Sequence, residues 1–171
     1  MVASLYRRWG NRDMFIRKFS PTLQEYAGNN PERSYFGDVP TLARLNIAYG
    51  DGTAKMWLLP QLSNLEEYCG CKDKMTNTMK FDLAGIIVAE WGYLKVSELL
   101  LFFHKFKAGC YGRFYGNVDP MVITCALREF VSNRREAYHR HDVELERQRR
   151  EEQSKKAVTR QEYERLKQRA I

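Results

Sequence analysis

The sequence predicts an all-α protein: a compact helical body of four to five helices, an irregular N-terminal arm and a long, projecting, charged C-terminal helix. Three observations carry this. Apolar residues between Leu42 and Phe106 recur three and four apart, the period of a helix face. From Met121 to Ile171 the chain has neither glycine nor proline. Breakers crowd the first forty residues at Pro21, Gly28, Pro31, Gly37 and Pro40. With 171 residues, 44% of them hydrophobic, one substantial core is within reach. No period of about 20–50 residues repeats, which argues against a solenoid.

Taken in order, residues 1–40 show no clean period. They are expected to form a loose arm anchored by Trp9, Phe15, Phe19, Tyr26, Tyr35 and Phe36. Regular structure is expected after Pro40, in a body spanning 41–138. Leu42, Leu45 and Tyr49 predict a short helix that Gly50-Asp51-Gly52 ends. Thr53 is placed to cap a second helix, whose Met56, Leu59, Leu62, Leu65 and Tyr68 share a stripe ending at Gly70. Pro60 predicts a kink or break there, because its ring removes a backbone donor and crowds the preceding turn. Thr76 or Asn77 caps a third helix that Gly92 stops.

Ser97-Glu98 opens LLLFFHKF (99–106), apolar on nearly every side and hence the expected buried central helix. Lys107-Ala108-Gly109 has the basic last turn and the glycine of a helix stop. Asp119 and Pro120 suit the cap and first turn of the last helix. Its stripe of Val122, Ala126, Phe130 and Val131 thins after Tyr138. Residues 139–171 are therefore expected to project as a charged helical extension, with a capping box at Thr159-Arg160-Gln161-Glu162 restarting the helix.

The net charge of +7 is unevenly spread. Residues 1–20 carry five bases against Asp13, and residues 127–171 carry thirteen bases against nine acids. Between them lies a nearly neutral body. Basic ends attract phosphate; a solvated arm accounts equally for the N-terminal cluster, and a solvated helix face is the favoured reading of the interleaved C-terminal charges. No apolar run approaches the roughly 18 residues of a membrane span, so no membrane partner is expected. The first residues, MVASLYRRWGNRD, lack the apolar segment of an export signal. Four cysteines without such a signal are expected as reduced thiols, which points to the cytoplasm.

The densest motif is KFKAGCYGRFYGNVDP (105–120). Glycines at 109, 112 and 116 free the backbone to turn, with Tyr111, Phe114 and Tyr115 between them and Lys107 and Arg113 beside them. Aromatics and cations on one loop suit base stacking with phosphate contact, or docking of a protein partner. A purely structural alternative stays open: a tight helix connection whose aromatics plug the core. The candidate binding residues are Lys107, Tyr111, Arg113, Phe114 and Tyr115, with Arg7, Arg8, Arg134 and Arg135 as phosphate or acidic-partner contacts.

Catalytic signatures are thin. No Gly-Lys-Ser/Thr follows the glycines, and their spacing misses the dinucleotide fingerprint. Cys69-Gly-Cys71 lacks a matching second pair, so no metal and no cofactor are expected. His139 and His141, two apart on a helix, point to different faces. His104 reads as a core or rim histidine. No Gly-x-Ser-x-Gly elbow is present, and an enzyme is not expected.

The stretch FFHKFKAGCYGRFYGNVDPMVITCALREFVSNRREA resembles a family of small uncharacterised proteins from Bacteroidetes and their phages and mobile elements. The likeness rests on Lys107-Ala108-Gly109, Tyr111-Gly112, Phe114-Tyr115-Gly116 and Asp119-Pro120, and implies an origin more than an activity. The layout of a helical body with basic ends is also loosely similar to phage replicative-helicase loaders. From these, the expected function is a non-enzymatic binding or adaptor protein of a phage or mobile element acting in DNA replication. Its expected partner is a protein such as a replicative helicase, nucleic acid, or both. The rival expectation is an assembly protein that forms homo-oligomers through the C-terminal helix.

Overall fold

Four helices, and not an irregular arm, open the chain: α1 (Val2–Trp9), α2 (Arg12–Lys18), α3 (Leu23–Asn29) and α4 (Pro31–Phe36). The computed structural model describes residues 2–157 together with 163, 165, 167 and 168. The arm expectation fails for a physical reason. The breakers that hide any period in 1–40 stand at helix ends. The Asn11 side chain accepts from Met14 N at 2.9 Å to cap α2, Pro31 takes the first turn of α4, and Gly37 ends it. Each helix is too short to show a clear stripe, yet Phe15, Phe19, Ala27 and Tyr35 anchor α2 to α4 by burial, and Tyr6 of α1 packs on Tyr49 with ring centres 4.9 Å apart.

The remaining helices follow the sequence signals closely. They are α5 (Leu42–Tyr49), α6 (Thr53–Cys69), α7 (Asn77–Trp91), α8 (Val96–Lys107) and α9 (Pro120–Lys156). The all-α class is correct, and no strand occurs among the described residues beyond two isolated bridges, Thr41 with Lys95 and Asp73 with Asn117. Thr41, Thr76 and Asp119 cap α5, α7 and α9 by accepting from Arg44 N, Met79 N and Met121 N at 3.2, 3.2 and 2.8 Å. Thr53 does not cap α6. It lies in the first turn and donates to Gly50 O, while Asn46 Oδ1 accepts from Ala54 N at 2.9 Å. Pro60 does not break α6, which runs unbroken from Thr53 to Cys69.

The chain forms two compact units, 1–131 and 132–171. In the first, α8 is the central helix: every residue from Val96 to Phe103 is buried, and α3, α4 and α6 pack against it. Trp57, Phe15, Phe102, Phe103 and Phe130 are the largest fully buried side chains of that core. Most of its buried polar groups are matched, Gln24 Oε1 being the exception among the described residues. Glu66, 1% exposed, pairs with Lys80 at 2.6 Å and accepts from Met75 N at 2.7 Å. Trp57 Nε1 and Gln61 Nε2 both donate to Phe19 O, which ties the end of α2 to α6.

In the second unit, Glu144 pairs with Arg147 at 2.9 Å, Glu146 with Arg150 at 3.6 Å, and the Arg134 guanidinium lies 4.3 Å from the Tyr138 ring centre. The Thr159–Glu162 capping box lies outside the described residues. No helix among the described residues is long and apolar enough to cross a membrane.

Candidate binding site

The glycine-aromatic loop after α8 divides its side chains between two jobs. Positive φ values of 87° at Gly112 and 84° at Gly116 turn the backbone twice within five residues, which L side chains resist. The turns send Tyr111 and Phe114 inward and Tyr115 outward. Tyr111 stacks on Phe102 with ring centres 5.8 Å apart, and Phe114 stacks on Phe106 at 5.3 Å. These two rings are half-buried against α8 at the edge of the core. Burial pushes the Tyr111 phenol well above its ordinary range. Tyr115, by contrast, is 78% exposed, and the Arg113 guanidinium lies 5.2 Å from its ring centre. Val118 N donates to Asp73 O at 3.0 Å and fastens the far end of the loop.

Lys107 belongs to neither group. Its ammonium donates to Asn64 Oδ1 and sits 5.4 Å from the Tyr68 ring centre, so it is bound to α6. Burial lowers its pKa, and the nearby Cys69 partly opposes that. Arg134 and Arg135 lie in the second unit, Arg135 exposed. All four cysteines are free thiols, and burial raises the Cys69 pKa. No group of three or more His, Cys, Asp or Glu side chains among the described residues could hold a metal ion.

A second surface was hidden in the sequence by the reading of 1–40 as an arm. Helices α1 to α4 and the start of α8 enclose a groove of about 390 Å³. Phe19, Leu23, Ala27 and Leu100 lie along it, giving it an apolar floor. Arg8, Lys18 and Arg33, from α1, α2 and α4, line the same groove. The Arg8 guanidinium and the Lys18 ammonium stand 4.8 and 4.9 Å from the centre of the Trp9 ring, which packs edge-on against Phe19. Arg33 donates to the Tyr26 hydroxyl at 2.7 Å, and Arg8 also pairs with Asp38. Three cations against one carboxylate make the groove electropositive, and the aromatic rings hold those cations over an apolar surface. Arg7 is exposed in the last turn of α1 and does not line the groove.

Of the candidate residues, then, Arg113 and Tyr115 form one exposed pair, Tyr111 and Phe114 pack half-buried on α8, and Arg8 enters the groove. Lys18, Tyr26 and Arg33 were not among them. The signal that could have found them was the density of bases and aromatics between Arg7 and Phe36.

A family model described as a family of unknown function (DUF6633) matches residues 74–170, more than half of the chain. The loop lies inside that span, and Arg8 to Val39 of the groove lie before it. No curated protein and no solved structure is detectably similar to the chain.

Proposed function

The chain belongs to the DUF6633 family of unknown function, and within that family we propose that it is a non-enzymatic binding protein acting on nucleic acid. The observation that carries this reading is the convergence of Arg8, Lys18 and Arg33, from three separate helices, on one groove lined by Trp9 and Tyr26. Cations set beside exposed rings combine phosphate attraction with base stacking, the two requirements of single-strand binding. The Arg113–Tyr115 pair repeats the combination on a smaller scale. The likeness of the loop motif to Bacteroidetes phage and mobile-element proteins, and of the layout to helicase loaders, supports replication as the setting and a replicative helicase as the protein partner.

The test is retention on immobilised DNA as salt rises. The reading expects retention to fall steeply with salt and to weaken when Arg8 and Lys18 are both changed to alanine, because each lost phosphate contact flattens the salt dependence by about one unit of slope. Absence of retention at low salt, with the chain folded, overturns it. A salt-insensitive complex with a mass above that of one chain would instead favour assembly through the C-terminal helix.

A further inference from the structure

We propose that the groove enclosed by α1–α4 holds one unpaired base of a single-stranded nucleic acid, with Lys18, Arg33 and Arg8 taking the phosphates on either side; this rests on the nucleic-acid reading above. The fit is chemical. Tyr26 is the most exposed aromatic residue of the groove, at 49%, and its hydroxyl is held by Arg33, which fixes the ring. A flat base stacked there would meet the apolar floor of Leu23 and Ala27 on one side and cations at its edge. The floor is rigid because Ala27 and Leu100 are buried residues of the packed pair α3 and α8.

Size narrows the occupant. About 390 Å³ lies near the lower end of small-ligand sites, which suits a nucleotide and is short for a peptide helix. In a duplex the base faces are already stacked, so only a single strand can offer one. An acidic peptide matches the charge, but its carboxylates bring no ring for Tyr26 and nothing apolar for the floor. Asp38 opposes phosphate at the rim through its pairing with Arg8.

The experiment is a fluorescence titration of the full chain with three probes: a short oligothymidylate, an abasic strand of the same length, and polyglutamate. Trp9 is the reporter, identified by loss of the signal in Trp9→Phe. The oligothymidylate is expected to change the emission and to bind about tenfold more tightly than the abasic strand. Tyr26→Ala should remove most of that difference, while Tyr26→Phe, which keeps the ring, should retain it. Lys18→Ala and Arg33→Ala should weaken both strands, and Asp38→Asn should tighten both.

Equal affinity for the two strands would overturn base recognition, and so would full affinity of Tyr26→Ala. In either case the wider nucleic-acid reading survives, with the strand on another surface such as Arg113 and Tyr115. Binding of neither strand by a folded chain overturns both readings. Polyglutamate binding that Lys18→Ala and Arg33→Ala abolish, with no strand bound, would make the groove an acidic-peptide site and overturn the proposal.

Discussion

Gly28 and His104 compete for one volume. A Cβ added at Gly28 in α3 would lie 2.1 Å from His104 Cδ2 and 2.4 Å from His104 Cγ in α8. The helix pair that forms the back of the groove therefore meets across a missing side chain. Alanine normally favours a helix over glycine by about 1 kcal/mol. Here overpacking reverses the sign, and Gly28→Ala is expected to cost about 1–3 kcal/mol. Chemical denaturation of Gly28→Ala and of the double variant with His104→Ala checks this, since removing the ring should return part of the loss.

The Glu66–Lys80 pair predicts an asymmetric pair of variants. Glu66 is buried, so losing its partner leaves a carboxylate held only by Met75 N. Lys80→Met is expected to destabilise by about 3 kcal/mol or more, the usual cost of an uncompensated buried charge. Adding Glu66→Gln should restore part of it, because the amide keeps an acceptor for Met75 N without the charge. Urea midpoints of the single and double variants give the coupling directly.

The divided loop predicts opposite behaviour for adjacent residues. Phe114→Ala removes a ring stacked on Phe106 and should lower the melting temperature by several degrees. Tyr115→Ala and Arg113→Ala, on the exposed side, should leave it within about a degree, as surface changes of under 0.5 kcal/mol do. Thermal scans read this. A large fall for Tyr115→Ala would show that the outward pair is structural.

Tyr111 contributes to the loss of stability at alkaline pH. Its ordinary pKa is 10.0, and burial raises it in the folded chain, with Tyr35, Cys110 and Glu129 adding to the shift. The folded state thus holds its proton where the unfolded state releases it. The stability from this preference is complete below pH 10 and is lost as pH rises toward the folded value. Denaturation midpoints measured above pH 10 should fall, and Tyr111→Phe, which keeps the stacking on Phe102, should flatten that fall.

Truncation after Arg140 should leave the denaturation midpoint of the body nearly unchanged. The removed segment is tied by exposed pairs such as Glu146–Arg150, which contribute little to the fold of the rest. Sedimentation at two protein concentrations is the companion measurement. A mass that halves on truncation, with a concentration-dependent loss of stability, would show self-association through the tail.

The residues alone determined the helical class and the identity of α5 to α9, because the signals there are local. Thr76 and Asp119 cap through their own side chains, Gly92 and Gly109 follow helix ends, and the apolar run 99–103 leaves no side of its helix for solvent. Residues 1–40 carry signals that are equally local but too short to read. A six- to eight-residue helix is unstable alone, since nucleation costs more than one or two turns return. What holds α1 to α4 is packing: Tyr6 of α1 against Tyr49, Phe15, Phe19 and Tyr35 buried in the core, and Phe19 O accepting from Trp57 and Gln61 about forty residues on. The loop aromatics illustrate the same division. Spacing marks Tyr111, Phe114 and Tyr115 as a group, yet only Phe102 and Phe106 on the neighbouring helix decide which of them turn inward. The gathering of Arg8, Lys18 and Arg33 was decided by tertiary structure for the same reason. Their distance in space follows from how α1 packs on α2 and α5 and α4 on α3 and α8, and no pairwise spacing in the chain encodes it.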